Sequence, residues 1–72
     1  MKLFAYLVSH HGMNINKLCS ISGVHGDLLE AHYCYGKPLR KNYKMQVERA
    51  MFKYLLLMGD TSEELKDILC AS

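Results

Sequence analysis

The stretch LCSISGVHGDLL, residues 18–29, decides how this chain folds. Ile15, Leu18 and Cys19 make one side of a short helix, and Val24, Leu28 and Leu29 begin the apolar side of another. Between them stands Gly23, which takes up a left-handed backbone that a residue with a Cβ resists. Counted from Leu18, Gly23 lies five residues on, Val24 six and Leu29 eleven. A short turn with a glycine between two steeply angled helices is a helix-turn-helix, and these spacings wedge the two helices together.

Helical signals continue outward in both directions. Asn14 is a suitable N-cap for the first helix of the pair. Before it, Leu3, Phe4, Leu7 and Val8 share a helical face, which Gly12 ends. After it, VHGDLLEAHY reads as the third helix, with Val24, Leu28, Leu29 and His32 or Tyr33 inward. Gly26 costs that helix about 1 kcal/mol relative to Ala, while Asp27 suits its first turn through the helix dipole. The fourth helix starts from a cap at Asn42 and runs through Val47, Ala50, Met51, Tyr54, Leu55 and Met58 to Gly59. Thr61 and Glu64 then have capping-box spacing before Leu65, Ile68 and Leu69. No alternation typical of strands is sustained. The expectation is an all-α, compact bundle of about five short helices containing a helix-turn-helix, as a single domain over residues 1–72.

Composition bounds the function. A 72-residue chain buries only a little over ~60% of its unfolded surface, leaving little room for a substrate cleft. Half the residues are apolar and the formal charge is +2, which argues against disorder. The longest apolar runs, LFAYLV at 3–8 and YLLLM at 54–58, are far short of the ~18 residues of a membrane span. Three cysteines, Cys19, Cys34 and Cys70, make a poor disulfide framework and suit packed free thiols in the cytoplasm.

Charge placement says more than charge total. GKPLRKNYK, residues 36–44, carries Lys37, Arg40, Lys41 and Lys44 and no acid. Such a block either grips phosphate or is a solvated turn at a helix start. As a clamp it would have Tyr43 packed beneath it.

The register of LCSISGV with Leu28 and Leu29 resembles the helix-turn-helix of the Cro and lambda-repressor family of phage and bacterial regulators. The resemblance covers roughly residues 14–55, with YGKP similar to the family's following turn but displaced by about a residue. It implies a small DNA-binding transcriptional regulator, repressing by occupying an operator. It also implies that the third helix reads base edges through His25, Gly26, Asp27, Glu30 and Ala31. By the same resemblance Asn14 begins the phosphate contacts, and the basic block meets the sugar-phosphate backbone. Two departures stand out. Ile15 replaces the family's common Gln, and the reading helix carries Asp27 and Glu30 with no Lys or Arg. Acids can accept from cytosine, but they face phosphate, so affinity must come from the basic block.

Other constellations are weaker. His10, His11, His25, His32, Cys19 and Cys34 lack the paired spacing of a zinc site. No cofactor, metal or catalytic residue is expected. The fourth helix is apolar over much of its girth. Either the fifth helix covers its second face, or Phe52, Leu56, Leu57, Leu65, Ile68 and Leu69 form a homodimer seam. A dimer would set two reading helices about one DNA turn apart. The partners expected are double-stranded DNA and a second copy, with no membrane. The competing reading is a protein-binding module on a helix-turn-helix-like shell, an antirepressor or inhibitor meeting another regulatory protein or a host enzyme through Asp27 and Glu30.

Overall fold

Five helices follow one another in the computed structural model, which describes residues 2–71 and the side chains of 3–70. They are α1 (Lys2–His11), α2 (Ile15–Ser22), α3 (Gly26–Tyr35), α4 (Lys41–Met58) and α5 (Glu63–Ala71). No strand occurs among the described residues. The radius of gyration, 11.6 Å, is close to the ~11 Å expected of a compact chain this long.

The core forms where the apolar faces meet. Leu3, Tyr6 and Leu7 of α1, Leu18 of α2, Leu29 of α3 and Val47, Met51, Tyr54 and Leu55 of α4 are buried together with Met13, Val24 and Leu65. Leu7, Leu18 and Leu29 are completely enclosed, and each contributes about 1.5–3 kcal/mol by leaving water. α4 packs on α2, α2 on α3, and α1 on α5.

The turn between α2 and α3 is pinned on several sides. Gly23 has φ of 73°, and its amide donates to Cys19 O at 2.9 Å. The Val24 amide donates to the buried Ser22 Oγ at 3.2 Å. From α4, Gln46 Nε2 donates to Ser22 O at 2.6 Å. A Cβ on Gly23 would stand 3.3 Å from that Gln46 nitrogen. The glycine is therefore required both by its dihedral angle and by the approach of α4.

Helix boundaries correct the sequence expectations at three places. α3 begins at Gly26, with His25 as its N-cap, so Gly26 is the first residue and not an interior break. α4 begins at Lys41 with Arg40 at the N-cap, and Asn42 lies inside the first turn. The cap of α5 comes from Ser62 rather than Thr61: its Oγ accepts from the Leu65 amide at 3.2 Å. Asn14 does cap α2, accepting from the Lys17 amide at 2.8 Å. Some apolar positions also differ. Val8, Leu28 and Met58 lie on the surface, and Tyr6 takes the buried place beside Leu3 and Leu7.

Tyr6 is buried because its hydroxyl has polar partners from the far end of the chain. It donates to Asp60 Oδ2 at 2.6 Å and shares a hydrogen bond with Ser62 Oγ. His11 Nε2 donates to the same Asp60 oxygen at 2.7 Å, and the Ser62 amide donates to Oδ1 at 3.0 Å. Around the edge, His10 Nε2 lies 3.0 Å from Glu64 Oε2. This network fastens α1 to the α4–α5 corner. The Tyr6 phenol, the Ser62 amide and His11 together hold the Asp60 carboxyl well below the usual carboxylate range.

Candidate nucleic-acid interface

The basic block spans the connection between α3 and α4 and the first turn of α4, and hydrogen bonds hold the connection at Lys37 and Arg40. Gly36, at φ of 68°, closes α3. The Lys37 amide then turns back to Ala31 O at 2.9 Å, and the Lys37 carbonyl accepts from His32 Nδ1 at 2.7 Å. Pro38 fixes the next φ. Leu39 is half-buried against the core, and Arg40 opens α4 with its carbonyl accepting from the Lys44 amide at 2.8 Å. Tyr43, in the first turn of α4, also packs partly against the core.

Lys37, Arg40, Lys41 and Lys44 are all exposed. The ion pairs among the described residues involve none of them. Three of the four stand at the N-terminus of α4, where the helix dipole is positive and no side chain caps the first turn. The first turn contains no acid. For folding alone this is an unfavourable arrangement, because the dipole repels these cations. It concentrates positive potential beside first-turn amides that have no carbonyl within their helix to bond. A phosphate is the kind of group that satisfies both.

The expected base-reading residues divide. Asp27, Glu30 and Ala31 share the face of α3 opposite the buried Leu29, with Asp27 and Glu30 exposed and Ala31 half-buried. Cys34 extends that face by one turn and is exposed; its i, i+3, i+7 spacing from Asp27 and Ala31 was the available sequence signal. Gly26 is partly covered, with Ile15 Cγ2 4.0 Å from where its Cβ would be. His25 is exposed, and its Nδ1 accepts from the Asp27 amide at 3.2 Å. The same nitrogen is 3.8 Å from the Asp27 carboxylate. The two contacts exclude one another, since the first needs a lone pair and the second a proton.

Asn14 stands apart from the basic block, at the N-terminus of α2. Its Oδ1 is taken by the cap, which leaves the side-chain NH₂ as a donor. The acids of α3 and the cations of the block are also kept apart. Asp27 is in the first turn of α3 and Glu30 is at its middle, whereas the block follows the C-terminus of that ten-residue helix, about 15 Å long. His32, which bonds the Lys37 carbonyl, is not distinguishable by sequence as belonging to the block, because its partner is set by the turn.

The residues expected at a homodimer seam also divide. Leu56 and Leu57 are 82% and 76% exposed, and Phe52 and Leu69 are partly so. Leu65 is buried in the chain's own core and Ile68 packs against that core, so both serve the inside of the fold. α5 packs on α1, and Leu56 and Leu57 of α4 are left uncovered. Phe52, Leu55, Leu56, Leu65 and Leu69 line an apolar groove of about 320 Å³ between them.

Among the described residues, no three His, Cys, Asp or Glu side chains converge to hold a metal ion. No helix is long and apolar enough to cross a membrane. Comparison with protein-family models, curated proteins and solved structures found no match.

Proposed function

We propose that this protein binds double-stranded DNA as a small transcriptional regulator of the repressor type. In this reading α2 and α3 act as a helix-turn-helix, α3 enters the major groove, and the α3–α4 connection grips phosphate. The observation that carries the reading is the basic block itself: four exposed cations in no ion pair among the described residues, Lys37 and Arg40 on the α3–α4 connection and Lys41 and Lys44 at the start of α4, three of the four against the helix dipole. An arrangement that costs stability and is nevertheless tied down by hydrogen bonds at Lys37 suits a ligand that supplies the missing negative charge. The resemblance of the LCSISGV register to phage-type repressors supports the same reading. The exposed Leu56, Leu57, Phe52 and Leu69 supply an apolar surface for a second copy, as binding to a palindromic site requires.

The test is a titration of duplex DNA by fluorescence anisotropy at several salt concentrations, with selection from random duplexes. Four phosphate contacts predict a log–log salt slope near about −3.6, and an operator reader enriches one sequence. Absence of binding at low salt would end the DNA reading.

A second reading has its own observation. Asp27 and Glu30 expose two carboxylates on α3, the helix that would have to face phosphates. A protein-binding module would turn this acidic face toward a basic partner, such as another regulator. Asp27→Lys with Glu30→Lys then abolishes partner capture and leaves the basic block dispensable.

A further inference from the structure

We infer that His32 is the positioning residue of the phosphate-gripping connection: by binding the Lys37 carbonyl it ties the backbone that carries the first cation of the block to the last turn of α3. The inference rests on the DNA reading above and deepens it. Both polar backbone atoms of Lys37 are committed to the last turn of α3, the amide to Ala31 O at 2.9 Å and the carbonyl to His32 Nδ1 at 2.7 Å. The amide bond is the ordinary consequence of a left-handed glycine after a helix. The carbonyl bond is additional, and only a side chain at position 32 supplies it. A carbonyl only accepts, so Nδ1 carries the hydrogen and the ring orientation is set. The ring is further held edge-on to Tyr33, with centroids 4.7 Å apart. Lys37 is separated from the other three cations by Pro38 and Leu39, so it alone needs its own anchor. Without one, its contact with a phosphate must repay the entropy of ordering the chain.

Two substitutions isolate the effect. Asn places its side-chain NH₂ near the position of Nδ1, whereas Gln places it near Nε2. Neither disrupts a helix more than His does. His32→Gln is therefore expected to lose the carbonyl bond and His32→Asn to keep it. The wild type, H32Q and H32N are compared by anisotropy with one duplex over a range of salt. The ¹H–¹⁵N heteronuclear NOE of Lys37 is measured in the free proteins. The expected result is a salt slope smaller by about 0.9 in magnitude for H32Q, the loss of one phosphate contact. Its Lys37 NOE falls as well, and H32N matches the wild type in both. An unchanged slope in H32Q, or equal damage in both variants, overturns the positioning role while leaving DNA binding intact. A wild type that does not bind DNA overturns the DNA reading, and this role with it.

Discussion

The chain contains two tyrosines whose hydroxyls are in opposite situations, and removing each should change stability in opposite directions. The Tyr33 hydroxyl is buried and has no hydrogen-bond partner among the described residues. Its ring stacks on Phe4 with centroids 4.4 Å apart, and burial, with the charge of Glu48 second, pushes the phenol up to about 12. An unpaired buried polar group costs about 1–3 kcal/mol. The ring is only half-buried, which places the figure at the low end. Tyr33→Phe is therefore expected to stabilise the protein by about 1 kcal/mol, raising the melting temperature by about 4–8 °C for a domain of this size. The stacking is retained because it belongs to the ring. Tyr6→Phe makes the same chemical change where the hydroxyl binds Asp60 and Ser62, and must destabilise. Urea denaturation of both variants measures the two signs. A spectrophotometric titration adds a second check. A folded value raised above the ordinary 10.0 means that stability present below pH 10 is lost as pH rises toward 12. Tyr33→Phe removes its share of that late step and leaves the share of Tyr6, whose phenol is also raised by its bond to Asp60. Destabilisation by Tyr33→Phe would refute the reasoning, since it would mean that the hydroxyl is engaged by a group that stabilises it.

Four further outcomes follow from the same geometry. Gly23→Ala forces a Cβ into a left-handed residue 3.3 Å from Gln46 Nε2 and should cost about 1–2 kcal/mol in urea denaturation. As the Asp60 carboxyl is held below its ordinary value of 3.8, the unfolded chain takes up its proton first. Stability present above about pH 4 should therefore fall as pH drops below that value, and Asp60→Asn should flatten this acid limb in a melting profile. Arg40→Glu with Lys41→Glu should reduce the DNA salt slope from about −3.6 to at most about −1.8 in magnitude, with the fold unchanged by circular dichroism. Leu56→Glu with Leu57→Glu should convert a dimer to a monomer in analytical ultracentrifugation without lowering stability, since both side chains are already exposed.

Local chemistry explains why so much of the helical order was legible in the chain. The glycines at 12, 23 and 59 stop helices because the left-handed backbone they adopt is a property of the residue, and all three have positive φ. Asn14 caps α2 because its acceptor reaches an amide three residues away. Leu18 and Leu29 are inside because short apolar periods fix a helical face before any tertiary contact exists. The same reasoning misplaced the caps of α4 and α5, where neighbouring residues were equally suitable and the corner geometry chose Arg40 and Ser62.

The sequence by itself determined the helical class, the place of the α2–α3 turn and the presence of a concentrated basic block, since each depends on residues within a few positions of one another. Tertiary structure alone decided that Tyr6 is buried, because its partners Asp60 and Ser62 are 54 and 56 residues away. It also decided that Leu65 faces inward while Leu56 and Leu57 stay outside. And it decided that Lys37 is anchored, because the bond from His32 forms only once Gly36 has turned the chain back on α3. Periodicity assigns a side chain to a face of its own helix, but only the neighbouring helices determine which faces are covered.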